Sequence, residues 1–328
     1  MLAMHAPDGF LAPGVAAVTA VISIAVTWLS LRMVADNLAD RYIPLAGVTA
    51  AFVFAAQMVN VPVGAGTSGH LLGGALAALL LGPWLGSLVV TVVVLVQALV
   101  FADGGVTALG YNVLNMAIVP AFSAWAIFGA AKAVFPKTRG GVVGAGAIAA
   151  GLSVVLAAGA FSVEWLFGAT AGVPFDRLFG AMVSVHAAIG VVEGLITGLV
   201  VAAVLNARPD IVEAARGVPD LSTSSRAVGM KPFLVGAFLA AVVLAIGVSQ
   251  FASSSPDGLE TVAAQQGIDE AARQHALANG VFADYATDGV GNETMSLAVA
   301  GFTGVMTTLV VAGGMLVSAR ALRQQGMS

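Results

Sequence analysis

Residues 71–100 read LLGGALAALLLGPWLGSLVVTVVVLVQALV, a run without a single charged side chain. About 20 apolar residues carry a helix across the hydrocarbon of a bilayer, so this run is too long for one crossing. Gly82-Pro83 divides it, because glycine ends helices and proline lacks the N–H that would continue one. The reading is a short span at 69–82, a tight break, and a second span at 84–102. Comparable runs flank this pair at 10–32, 42–59, 111–135, 141–167, 179–205, 232–251 and 296–318. Composition points the same way: 59% of the 328 residues are hydrophobic, 9% are charged, and the mean hydropathy is +0.97, outside the range of soluble domains. The expected fold class is an all-α integral membrane protein, a polytopic helical bundle of about nine transmembrane helices.

Cytoplasmic loops of such proteins collect Lys and Arg. With the amino terminus outside, the inward loops hold Arg32, Arg41, Lys132, Lys137, Arg139, Arg208, Arg216, Arg226, Lys231, Arg320 and Arg323, leaving only Arg177 and Arg273 outside. The bias predicts an N-out, C-in chain, which an odd number of spans requires. The net charge of −4 comes with no basic run or face, so no nucleic-acid partner is expected. The absence of cysteine removes disulfides, thiolate ligands and a Cys nucleophile. Residues 1–9 carry no Lys or Arg and include Asp8, unlike a cleaved signal, so the first apolar stretch is expected to be retained.

This topology puts two histidines on the external side. His5 lies in MHAPDG, residues 4–9, and His70 in VNVPVGAGTSGHLLGG, residues 59–74. Gly64, Gly66 and Gly69 let the second segment fold tightly or dip into the membrane. A histidine at the second position of a chain has a specific chemistry. The α-amine, the following deprotonated amide nitrogen and the imidazole Nδ1 close fused chelate rings around one ion. A fourth nitrogen from His70 would complete a square-planar site, which points to Ni(II) or Cu(II) ahead of Mg, Ca or tetrahedral Zn.

MHAPDGFLAPGV (4–15), GAGTSGHLLGGALAALLLGPW (64–84) and HAAIGVVEGLITGLV (186–200) resemble the substrate-binding membrane subunit of energy-coupling factor cobalt and nickel importers, the CbiM/NikM type. After Lys231 the pattern changes. A span, SSSPDGLETVA and a last span resemble the small CbiN/NikN companion, here fused on. The expected organisation is a metal-binding membrane domain at 4–205, a cytoplasmic linker at 206–231 and a companion-like domain at 232–328 with two spans and an external PDGLE segment. That PDGLE form, Pro256 to Glu260, is closer to the nickel-type companion.

The resemblance implies that Met4, His5 and His70 hold the metal, Met4 through its α-amine. Met1, Leu2 and Ala3 precede Met4 here, so the pattern is met only if the functional chain begins at Met4. No cofactor is expected beyond the transported Ni2+ or Co2+. The resemblance also implies a transmembrane coupling (T) subunit and paired cytoplasmic ATPases as partners. The chain itself lacks a GxxxxGK[ST] loop, since Lys137-Thr138 follows Pro136. The expected function is therefore metal capture for an ATP-driven importer in the plasma membrane, with the metal site external and nickel favoured over cobalt, and not an enzyme.

Other residues are open to two readings. His186 and Glu193 are two turns apart on one helix face, either as functional groups or as an internal structural bond. Gly190, Gly194 and Gly198 repeat every fourth residue, the spacing of close helix packing. His275 sits in segment 252–295, where Asp257, Glu260, Asp269, Glu270, Asp284, Asp288 and Glu293 face one Arg273. That stretch is either a solvated loop or a field that concentrates cations. A self-sufficient channel or ion-driven carrier would need buried carboxylates along a path, for which Glu164 and Glu193 are the candidates. A metallo-enzyme would need an acid or base beside the metal, for which Asp8 is the candidate.

Overall fold

The computed structural model describes residues 5–35, 39–64, 66–222 and 228–326. Its elements in order are α1 (Pro13–Ala35), α2 (Tyr42–Gln57), a hairpin of β1 (Val61–Gly64) and β2 (Thr67–Gly69), α3 (Gly74–Leu81) and α4 (Pro83–Val100). Then follow α5 (Leu109–Val113), running through a π-turn at Leu114–Ile118 into α6 (Val119–Ala131), α7 (Arg139–Gly168), α8 (Phe175–Ala207) and the single turn α9 (Pro219–Ser222). The chain ends with α10 (Met230–Ile246), α11 (Gly258–Gln266) and α12 (Glu293–Gly326).

The all-α membrane architecture is as expected, but the number of spans differs. Among the described residues seven helices are long and apolar enough to cross a membrane, with α5–α6 acting as one. Helix α2 has 16 residues, about 24 Å at 1.5 Å per residue. The span expected at 69–82 is helical only over the eight residues of α3, about 12 Å. The reason lies at both ends. Thr67–Gly69 pairs antiparallel with β1, and Gly82 takes φ 84° and ψ 160°, a positive-φ extended conformation open to glycine that stops α3 and lets Pro83 start α4. Helix α3 is therefore a buried half-helix folded against α4.

Polarity is inverted relative to a soluble bundle. In α1 the buried residues are Thr19, Ser23 and Ser30, while Val21, Ile24 and Trp28 are exposed. Ser23 Oγ donates to the Gly110 carbonyl at 2.7 Å. In lipid an apolar side chain gains nothing by turning inward, whereas a hydroxyl needs a partner.

Small residues set the helix spacing. A Cβ on Gly190 would lie 2.5 Å from the Gly151 carbonyl oxygen, and one on Gly194 would lie 2.6 Å from that of Ala147. The four-residue glycine repeat is thus a packing face between α7 and α8. Helices α10 and α12 share a core with α2 and α4, in which Ala241, Ala245, Ala300 and Val305 pack with Phe54 and Val89. A second core joins α3, α6, α7 and α8. A third lies at the end of the bundle nearest His5, where Phe10, Tyr111, Trp165 and Leu178 meet Val262 and Ile268.

Gly194→Val should force α7 and α8 apart. Overpacking of this kind costs about 1–3 kcal/mol, to be seen as a lower melting temperature of the detergent-solubilised protein.

Candidate metal centre

The amino-terminal segment is buried without being helix or strand: His5 is 2% exposed, Phe10 2% and Leu11 4%. Its backbone groups must then be answered by other parts of the chain. Asn112 grips Ala6 twice, accepting from its N–H at 3.2 Å and donating to its carbonyl at 2.9 Å. Tyr111 donates to the Pro7 carbonyl, Thr170 to that of Phe10, and the Arg273 N–H to that of Asp8. The Asp8 carboxylate accepts from the Thr107 N–H and hydroxyl at 2.7 and 2.5 Å. Asp8 therefore anchors the segment to the loop after α4.

The acid beside His5 is Asp103, whose Oδ1 lies 2.8 Å from His5 Nδ1. The other oxygen of Asp103 accepts from the Tyr285 hydroxyl at 2.6 Å. Burial alone would raise the pKa of Asp103, but the imidazole and the hydroxyl hold it below the ordinary carboxylate value. Gly104 makes the approach possible, since a Cβ there would sit 2.6 Å from the His5 Cβ. His5 Nε2 is buried with no hydrogen-bond partner among the described residues. The fused-ring chelate would use Nδ1, whereas here Nδ1 is turned to Asp103.

His70 follows β2 and is clamped from two helices. Glu193 of α8 accepts from the N–H groups of Leu72 and Gly73 at 2.7 and 3.1 Å, and Gln57 donates to the Leu72 carbonyl. His70 Nδ1 lies 3.1 Å from the Leu71 carbonyl. That contact places the ring proton on Nδ1 and makes Nε2 the lone-pair nitrogen.

Both imidazoles line one cavity of about 90 Å³, with ring centroids 6.1 Å apart. Two imidazoles on one ion, each bonded at roughly 2.0–2.1 Å, have centroids no more than about 6.3 Å apart. The pair is at the upper edge of that reach. The wall also holds His186, Asn112, Asn115, Met116, Met182 and Asp257. His186 Nδ1 lies 2.8 Å from the Met182 carbonyl, which leaves its lone pair on Nε2 as well. Among the described residues no three His, Asp or Glu side chains come together as a metal-binding group. Beside the oxygens of Asn112, Asn115 and Asp257 the cavity offers imidazole nitrogen and thioether sulfur, donors suited to a borderline transition metal.

The PDGLE motif closes the cavity from the other side. It is a helix start, with Asp257 Oδ1 accepting from the Glu260 N–H at 2.8 Å and Glu260 accepting from the Asp257 N–H at 2.9 Å. Burial, with Glu260 beside it, pushes the Asp257 carboxyl well above the usual range. The carbonyls of Pro256 and Ser255 accept from Ser68 of β2 at 2.8 and 2.7 Å. Gly258 seats α11 on α8, where a Cβ would stand 2.6 Å from Ile189 and 3.1 Å from His186.

Of the residues singled out from sequence, His5, His70 and His186 share the cavity, and Met4 lies outside the described residues. Glu193 positions the loop after His70. Glu164 accepts from Asn115 at 2.7 Å. His275 bonds the Gly104 carbonyl. Asp103, Asn112 and Tyr285 were not anticipated. A usable sign existed for Asp103 alone, because FADGG at 101–105 places an acid beside glycines at the end of a span.

Residues 5–211 match the family described as the CbiM cobalt uptake substrate-specific transmembrane region, and residues 231–321 match the PDGLE domain. A putative fused nickel transport protein NikMN of Archaeoglobus fulgidus is 36% identical over 94% of this chain and 96% of its own. The fused nickel transport protein NikMN of Rhodobacter capsulatus is 36% identical over 65% of each. A cobalt transport protein CbiM of Geobacter sulfurreducens is 34% identical over 66% of this chain and 64% of its own. A crystal structure of a truncated transition metal transporter superposes with TM-score 0.54 at 33% identity, covering 61% of this chain and 98% of that one. With the helices, the cavity and these matches together, the chain belongs to the CbiM family of transition-metal transport membrane proteins, carries a PDGLE domain after the CbiM region, and is a transport component and not an enzyme.

Proposed function

We propose that the chain captures a divalent transition metal outside the plasma membrane for an ATP-driven energy-coupling factor importer, with nickel favoured over cobalt. The observation that carries this reading is the pair of buried imidazoles, His5 and His70, on the wall of one ion-sized cavity. Met4 completes the ligand set through the α-amine of a chain that begins there. Two features favour nickel. The donors are nitrogen-rich, and the nickel-named relative of Archaeoglobus fulgidus matches 94% of the chain, whereas the cobalt-named relative of Geobacter sulfurreducens matches 66%.

Helix direction supports an external site. Arg32 is in the last turn of α1 and Arg139 begins α7, while the cavity residues His5, Ala158 and Phe161 lie toward the opposite ends of those helices. By the positive-inside rule the cavity end faces out. A transmembrane coupling subunit and cytoplasmic ATPases supply the energy. Neither Glu164 nor Glu193, the two candidates for a self-driven carrier, lines the cavity; Glu164 is bonded to Asn115 and Glu193 to the backbone of Leu72 and Gly73.

His70→Ala should reduce nickel accumulation to background while membrane abundance and melting temperature stay unchanged; normal accumulation would remove His70 from the site. Purified chain alone in liposomes should fail to concentrate nickel, and adding the coupling and ATPase subunits with ATP should restore uptake. Uphill transport without them would favour an ion-driven carrier. Intact-mass measurement of the metal-loaded protein should give a chain starting at Met4; a loaded form that starts at Met1 rules out the Met4 amine as a ligand.

A further inference from the structure

Helix α10 is buried in the bundle along only one half of its length. Its buried residues are Ala241 and Ala245, which share the core with Ala300 and Val305. In the turns before them Pro232, Phe233, Gly236, Ala237 and Ala240 recur on one helical face, about 12 Å long at 1.5 Å per residue. That face looks toward α2 and α8 across open space. The gap is a cavity of about 420 Å³, against about 90 Å³ for the metal cavity. Small side chains keep it open, with Gly236, Ala237 and Ala240 on α10 and Ala203 on α8. A Cβ added at Gly236 would meet nothing within 4 Å.

The walls are apolar. Val48 and Phe52 stand on α2, Leu80 and Leu81 at the end of α3, and Val200 and Val204 on α8. Thr49 brings the one hydroxyl among the lining residues, and it donates to the Leu45 carbonyl at 2.7 Å. Such walls leave a polar solute unanswered and suit hydrocarbon. One end of the groove differs. Lys231, exposed, precedes Pro232 at the start of α10, and no side chain caps the first turn there, so this end is positive. The acids beside Ile211, which also lines the groove, are already paired: Asp210 with Arg208 and Glu213 with Arg216, each at 2.8 Å. By the positive-inside rule this end of α10 faces the cytoplasm, where anionic headgroups attract Lys and Arg. A phospholipid answers both features at once, with an anionic head and an apolar chain.

We propose that the groove between α2, α8 and α10 binds an anionic phospholipid of the inner leaflet: its phosphate sits at Lys231 and the start of α10, and an acyl chain lies along Gly236, Ala237 and Ala240. The lipid joins the CbiM region, which supplies α2 and α8, to the PDGLE region, which supplies α10. The inference rests on the inward placing of Lys231 and is independent of how the metal is held.

The test uses the full-length protein in detergent, stripped of lipid and titrated with phosphatidylglycerol or with phosphatidylcholine of the same acyl chains. Bound lipid is read by native mass spectrometry and its effect by the melting temperature. The wild type should bind phosphatidylglycerol and melt higher as it does so, with phosphatidylcholine about fivefold weaker, the worth of one Lys at an anionic surface. The double variant Gly236→Leu, Ala240→Leu fills the groove. Leucine is a better helix former than glycine and the space at Gly236 is open, so this variant should melt no lower than the lipid-free wild type and gain nothing from phosphatidylglycerol. Lys231→Gln leaves the groove intact and should bind both lipids alike. An equal response of the wild type to the two lipids would overturn the inference, as would a headgroup preference that survives in Lys231→Gln. Undiminished phosphatidylglycerol binding by the filled variant would also overturn it, and if that variant in addition no longer assembles with the coupling subunit, the groove belongs to a partner helix.

Discussion

The structure depends on one constraint: His5, Ala6, Asp8, Phe10 and Leu11 are buried on a segment that is neither helix nor strand. A helix satisfies its own backbone, but an irregular segment must find each donor and acceptor elsewhere. Those partners account for much of the architecture at this end of the molecule. Asn112 is available because α5 begins there and runs into a π-turn, Thr107 because the loop after α4 doubles back, and Thr170 because α7 ends beside Phe10. Segment 252–292 contributes Arg273 through its backbone. Loss of any of these leaves a polar group unpaired in a poorly hydrated site, a cost of about 1–3 kcal/mol.

The same economy explains the loop around His70. Half-helix α3 leaves the backbone of Leu72 and Gly73 outside any regular ladder, and Glu193 and Gln57 answer it from two longer helices. An ionisable group within a span is expensive, so a glutamate is used where it meets two N–H donors at once. The ring on His70 is thereby held by backbone that cannot shift alone. On His5 the corresponding role falls to a carboxylate. Both rings stand on the wall of the same small cavity.

The two matched regions are not separable bodies. Helices α10 and α12 complete the core around Phe54, and PDGLE hydrogen-bonds directly to the strand that leads into His70. Two of the acidic residues that read as a diffuse field along segment 252–295 have local partners in the fold. Asp257 and Glu260 cap α11, and the backbone of Asp284 ties Tyr285 to the loop after α4.

The sequence by itself determined the membrane class, the break at Gly82-Pro83, the glycine packing face and the two histidines. Each of these is a local property of composition or spacing: a run of apolar residues, a residue without N–H, a four-residue period. It misjudged the span at 69–82, because apolar length does not reveal that Thr67–Gly69 pairs as a strand. Asp8 was the nearest acid to His5 along the chain, and tertiary structure gave that place to Asp103, 98 residues further on. Nor could spacing say that Glu193 would hold backbone and not line the cavity, or that Tyr285 would meet Asp103. These pairings are set by which helix ends share one face of the bundle, and that is decided when close glycine contacts and buried polar groups are satisfied together.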